Sequence, residues 1–230
     1  MRDFIKYELT GWKKWEICWM LIATITIAGL SVYWGDNWFG IISALTGVWC
    51  VILTGKGKRS CYITGLINTA MYAWIAFGSK YYGEVMLNAL YYVPMQFVGW
   101  YAWSKHMNAE TTEVDKARMN NKSLCLWTVI SVLGIFVYGT VLKLLGGNLP
   151  YFDSFTTTLS VLAMIFSVKR YMEQWVLWVL VDVATVYLWW VDFSAGNDNV
   201  ATLLMWTIYL LNAVFQLVKW YKEAKVESYA

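Results

Sequence analysis

Charge is what this sequence has least of. Only 14% of its 230 residues are Asp, Glu, Lys or Arg, against 59% hydrophobic, a balance that excludes an ordinary soluble domain of this length. Histidine is nearly absent. The lone His106 falls in a polar loop, so neither a Ser/His intramembrane protease nor a histidine metal site can be assembled. The four cysteines, Cys18, Cys50, Cys61 and Cys125, form no C-x-x-C pair. They suggest no disulfide framework or metal knuckle and read as small apolar fillers. No apolar stretch carries a mid-helix lysine for a retinal Schiff base. The segment "TGKGKRS" at 54–60 fails the G-x-x-x-x-G-K-[ST] pattern, so no phosphate loop is expected there. An enzyme, a cofactor and a nucleic-acid partner are all unexpected on these grounds.

What is present is apolar length. A run of about 20 residues crosses roughly 30 Å of hydrocarbon as a helix. Eight such segments alternate with polar breaks, at 15–34, 38–54, 61–78, 83–103, 124–144, 153–168, 171–190 and 200–220. The expected class is an all-α integral membrane protein with about eight transmembrane helices. The first segment is followed by no A-x-A-like cleavage site and is expected to remain as a helix. If the N-terminus is cytoplasmic, all 18 Lys and Arg residues except Lys80 and Lys143 fall on the inner side. That asymmetry places both termini in the cytoplasm of a multi-pass protein.

The loop "KHMNAETTEVDKARMNNK" at 105–122 divides the chain, and the helices on either side carry matching signals. The fourth span ends "QFVGWYAWSK" and the eighth "QLVKWYKEAK", sharing Q-x-V-x-W-Y. Asn68 and Asp182 take equivalent mid-helix places in the third and seventh spans. Two triplets of the same orientation need an odd helix between them, so the arrangement reads 1+3+1+3: two parallel three-helix bundles joined by a linker helix. The divisions are an extra N-terminal helix in 1–36, a first bundle in 37–104, a cytoplasmic loop in 105–123, the linker helix in 124–146, a second bundle in 147–222 and a tail in 223–230. Parallel repeats of this kind are a transporter design, with ligand held near the midplane between the halves.

Polar residues at bilayer depth mark where a ligand would sit, because each needs a partner or a wet cavity. Asn88, Tyr92 and Gln96 recur every four residues on one helix face, and Tyr209, Asn212 and Gln216 repeat the idea in the eighth span. Asn68 and Asp182 lie near the middle of their spans. A mid-helix Asp costs about 2.5 to 3.5 kcal/mol on insertion scales, so Asp182 calls for a reason. Trp175 and Trp178 lie on its side of the helix, offering indole faces to a planar cation with the carboxylate as counter-charge. Competing readings stand beside these. Asn and Gln side chains also glue helices together, the tryptophans also fit an interfacial aromatic belt, and the hydroxyls of Thr156, Thr157, Thr158 and Ser160 suit close helix packing, with Ser160 a second-tier candidate.

Together these residues resemble the PnuC family of bacterial vitamin transporters. The resemblance is carried by "WVLWVLVD" ending at Asp182, "GLIN" ending at Asn68, "GWYAW" at 99–103, "FDS" at 152–154 and "VKRYMEQW" at 168–175, from about residue 35 to the C-terminus. It implies a SWEET-like pair of three-helix bundles, assembled as a homotrimer in the bacterial inner membrane among its lipids. It also implies carriage of nicotinamide riboside by facilitated diffusion, with a cytoplasmic kinase trapping the product. Trp175, Trp178, Asp182, Asn68, Tyr92, Gln96, Asn212 and Asn88 would form the substrate site. The family pattern allows Asn or Asp at 182. A thiamine or other nucleoside carrier, a cation-coupled symporter and a non-transporting membrane component remain the alternatives.

Overall fold

The computed structural model describes residues 2–33, 35, 38–78, 85–146, 149–195 and 200–226. Its described elements, apart from two short strands, are helices: α1 (Arg2–Leu9), α2 (Lys14–Tyr33), α3 (Trp38–Lys56), α4 (Cys61–Gly78), a π-helical segment (Leu87–Tyr92) running into α5 (Val93–Ser104), α6 (Asn121–Leu144), α7 (Pro150–Val168), α8 (Gln174–Ser194) and α9 (Val200–Glu223). The short strands β1 (Ala117–Arg118) and β2 (Lys225–Val226) pair in parallel. Six of these helices, α2, α3, α6, α7, α8 and α9, are long and apolar enough to cross a membrane. The α4 helix and the π–α5 element are the other two apolar segments. The helix α1, before the first expected span, was not expected.

The chain forms two compact units, residues 1–115 and 116–230. In the first, α2 packs on α3, α3 on α4, and α4 on the π–α5 element. In the second, α6 packs on α7, α7 on α8, and α8 on α9. Each unit is thus four helical segments packed in chain order.

The fourth span departs from a plain α-helix for a local reason. Pro94 has no N–H to give the carbonyl four residues back, and its ring collides with that carbonyl in α geometry. The chain widens instead, and the Val93 N–H reaches the Asn88 carbonyl, five residues back. The stripe Asn88, Tyr92, Gln96 therefore crosses a π-helical turn, a feature often found beside functional sites.

Two turns repeat the same hydrogen bonding. At the end of α3, Lys58 N–H reaches Leu53 O at 3.0 Å and Gly57 N–H reaches Thr54 O at 3.0 Å. At the end of α7, Tyr171 N–H reaches Phe166 O and Arg170 N–H reaches Ser167 O, both at 2.9 Å. These are Schellman ends, each needing a left-handed residue: Gly57 at φ 80° and Arg170 at φ 63°. Glycine adopts that conformation freely, whereas Arg170 does so at a cost. The carbonyls of both left-handed residues then accept from the loop. Val114 N–H bonds Gly57 O, and Ala117 N–H bonds Arg170 O, each at 2.9 Å. The middle of the 105–122 segment is therefore pinned at Val114 to the first unit and at Ala117 to the second.

The "TGKGKRS" turn lies among the inner-side charges of the Lys and Arg asymmetry. Its lysines also build the interior. Lys58 is fully buried, with Nζ donating to Tyr7 O at 2.5 Å, Thr112 O at 2.7 Å, Thr10 O at 2.8 Å and Thr112 Oγ1 at 3.0 Å. Burial draws its ammonium down to about 8, opposed by the carboxylates of Glu8 and Glu113. Lys56, also buried, pairs with Glu16 at 2.5 Å and Glu113 at 2.8 Å. These two cations tie the α1–α2 corner and the 111–113 turn to the end of α3.

Candidate functional site

In the second unit the buried stripe of α9 recurs every four residues: Asn212, Gln216 and Trp220 are 1%, 4% and 0% exposed. That spacing holds one helix face against α8. The facing stripe of α8 carries Trp175 and Asp182, both buried, with Trp178 half-buried between them. Trp175 meets Trp220 edge to face, with ring centroids 5.9 Å apart and planes at 70°. It is held inside its unit instead of at a lipid boundary.

Asp182 is 4% exposed. Among the described residues no lysine or arginine forms an ion pair with it. A carboxyl group so buried carries its charge only at a cost, which an arriving cation would offset. Other polar side chains along α8 and α9 are buried too. Trp175 Nε1, Gln174 Oε1 and Gln216 Oε1 are buried and have no hydrogen-bond partner among the described residues. Gln174 commits only its amide N–H, to Tyr171 O at 3.1 Å. Buried polar atoms are usually paired, with protein, water or ligand. Just outside α8, Glu173 accepts the Met119 N–H on Oε1 at 3.1 Å. Burial raises its carboxyl above the ordinary 4.5, against these hydrogen bonds and the Arg118 charge.

In the first unit Asn88 and Gln96 are each 6% exposed, and Tyr92 is half-buried, its ring 5.3 Å from that of Tyr91. Asn68 on α4 donates from Nδ2 to Ser43 O of α3 at 2.7 Å. That bond is the helix-gluing role weighed for such amides, and it also fixes which way the side chain turns. Ser160, the second-tier candidate, is half-buried on α7.

Trp175, Trp178 and Asp182 thus share one face of α8, which meets the Asn212, Gln216 and Trp220 stripe of α9 at the Trp175–Trp220 ring pair, while Asn68 lies on α4 and Asn88, Tyr92 and Gln96 on the π–α5 element of the other unit. Two open cavities lie elsewhere. One, of about 420 Å³, is an apolar groove of α6 and α7 around Gly134 and Thr158, and one, of about 570 Å³, is lined by Arg118 to Lys122 and Val226. Neither includes a candidate residue. Sequence reasoning passed over Gln174, and it saw Gln216 in the stripe without counting it as a site residue. The signal for Gln216 was its match to Gln96 in the shared Q-x-V-x-W-Y pattern.

The chain is similar to known proteins over nearly its whole length. Residues 37–222 match the family model described as nicotinamide mononucleotide transporter. The nicotinamide riboside transporter PnuC of Neisseria mucosa is 40% identical over 223 residues, 95% of this chain and 85% of that protein. The nicotinamide riboside transporter PnuC of Haemophilus influenzae is 32% identical over 219 residues, 94% of each. A crystal structure of the vitamin B3 transporter PnuC superimposes with a TM-score of 0.82 at 38% identity, covering 96% of both chains. This chain belongs to the PnuC family of membrane transporters.

Proposed function

We propose that this protein carries nicotinamide riboside across the membrane and binds it with Trp175, Trp178, Asp182, Asn212, Asn68, Asn88, Tyr92 and Gln96. The observation that carries the reading is Asp182, a buried carboxylate without an ion-pair partner among the described residues, on the helix face of two indoles. Nicotinamide riboside brings a planar pyridinium cation, a carboxamide and a ribose. The cation answers the carboxylate and stacks on an indole face, a contact worth about 2 kcal/mol when water is excluded. The carboxamide and ribose hydroxyls suit the amides of Asn212, Asn68, Asn88 and Gln96 and the Tyr92 hydroxyl. Uniform binding of this kind needs no energy source, and we take transport to be facilitated diffusion.

The finer features of the reading rest on the sequence. The Lys and Arg asymmetry supports an inner-membrane protein with both termini cytoplasmic, and the resemblance supports a homotrimer, which the mass of the detergent-solubilised protein tests. Equilibrium binding of nicotinamide riboside to the purified protein, competed with thiamine, tests the substrate. Displacement by thiamine at equal or lower concentration would transfer the assignment to that vitamin, and failure of both to bind would remove it.

A further inference from the structure

The Gln96 carboxamide is seated in a notch on α4 that exists because residue 65 has no side chain. A methyl group at Gly65 would lie 2.6 Å from Gln96 Oε1 and 3.0 Å from Gln96 Cδ, with Cys50 Sγ of α3 also at 3.0 Å. Contacts below 3.0 Å are not sustained, so the amide would have to leave. Gly65 itself is buried and its φ is not one that requires glycine. Its smallness therefore serves packing, not backbone conformation. Three residues further along α4, on the same face, Asn68 is turned by its bond to Ser43 O. The α4 helix thus sets the direction of two polar side chains at once, one by a hydrogen bond and one by leaving room.

We propose that Gly65 is a positioning residue for substrate recognition: its missing side chain holds the Gln96 carboxamide in the orientation in which it meets the substrate. The inference rests on the reading that Gln96 contacts nicotinamide riboside. A glycine in mid-helix weakens the helix relative to alanine, and the notch accounts for its presence where the backbone does not.

A double-mutant cycle with Gly65→Ala and Gln96→Ala tests this, read as the dissociation constant for nicotinamide riboside on purified protein with thermal unfolding recorded alongside. Overpacking of this size should weaken binding about tenfold in the native background. In the Gln96→Ala background the methyl group meets no amide, and Gly65→Ala should change affinity less than about twofold. Adding Cys50→Ala to Gly65→Ala removes the second close contact and should not restore affinity. The proposal is overturned if Gly65→Ala binds like the native protein, if it weakens binding equally in both backgrounds, or if Cys50→Ala restores it. Should Gly65→Ala alone fail to fold, the cycle is read as melting temperature: recovery in the Gln96→Ala background supports the notch, and unfolding in both refutes it. Absence of nicotinamide riboside binding by the native protein would sink the functional reading while the melting cycle still decides the notch.

Discussion

Replacing Lys58 by methionine should unfasten one end of the first unit. The ammonium stands at the meeting point of three backbone carbonyls, Tyr7 O, Thr10 O and Thr112 O, with the Thr112 hydroxyl as a fourth acceptor. At pH 7 the group is charged, since its value is drawn down only to about 8, so it offers all three of its hydrogens. Methionine fills most of the stem but donates nothing. Each buried acceptor left unanswered costs about 1 to 3 kcal/mol. Thr10 is exposed, so water recovers part of that cost, and a net loss of about 3 kcal/mol is expected, in line with breaking a buried charged contact. The loss should be local in its first effect, because the bonds lost join residues 7–10 and 112 to the α3–α4 turn. Limited proteolysis at Lys6, Lys13 and Glu113 should accelerate before the apolar helices unfold, and the melting temperature in detergent should fall by several degrees. A Lys58→Met protein with native melting and native cleavage rates at those sites would refute the argument.

Other expectations follow from single contacts. At Gly99 a methyl group would lie 2.1 Å from the Tyr62 ring, which packs edge to face on Trp103 at 5.1 Å. Gly99→Ala should therefore cost about 2 to 3 kcal/mol of stability by overpacking, measured as denaturant or thermal unfolding. Glu173 keeps its proton to higher pH in the folded protein than in the unfolded chain. Its contribution to stability is present below the unfolded value of 4.5 and is lost as pH rises through its raised folded value. Melting temperature should accordingly decline over that window, and Glu173→Gln should flatten the decline while sparing the bond to Met119. Asp182→Asn should fold normally and weaken binding of the pyridinium cation by about tenfold, or roughly 1.4 kcal/mol, in a calorimetric titration.

The long apolar helices were legible in the sequence because lipid imposes a length and a composition that hydropathy reads directly. Among the described residues helices occupy all eight expected segments, with ends shifted by a few residues, while residues 34, 83 and 84 of those segments lie outside the described residues. The short helix Arg2–Leu9 was not legible, since it is polar and is held by what its neighbours offer it, above all Lys58. The same limit applies to that lysine. Counting charges says on which side a cation falls and nothing about whether it folds back onto carbonyls. The π-helical turn had a sequence signal, Pro94 inside an apolar span, whose missing N–H forces a local rearrangement. At the site, periodicity found the stripes of α8 and α9 because burial and spacing express one fact. It did not find Gln174, which lies at the start of α8 before any period is established, nor the notch at Gly65, which is visible only once another helix lies across it.

The most direct test of the account is uptake of labelled nicotinamide riboside by liposomes holding the purified protein, with no ATP and no ion gradient. The account predicts that label enters until inside and outside concentrations are equal, and that Trp178→Ala protein with native melting behaviour does not catalyse this entry. Entry no faster than into protein-free liposomes, or accumulation above equality that appears only with a proton or sodium gradient, would contradict it.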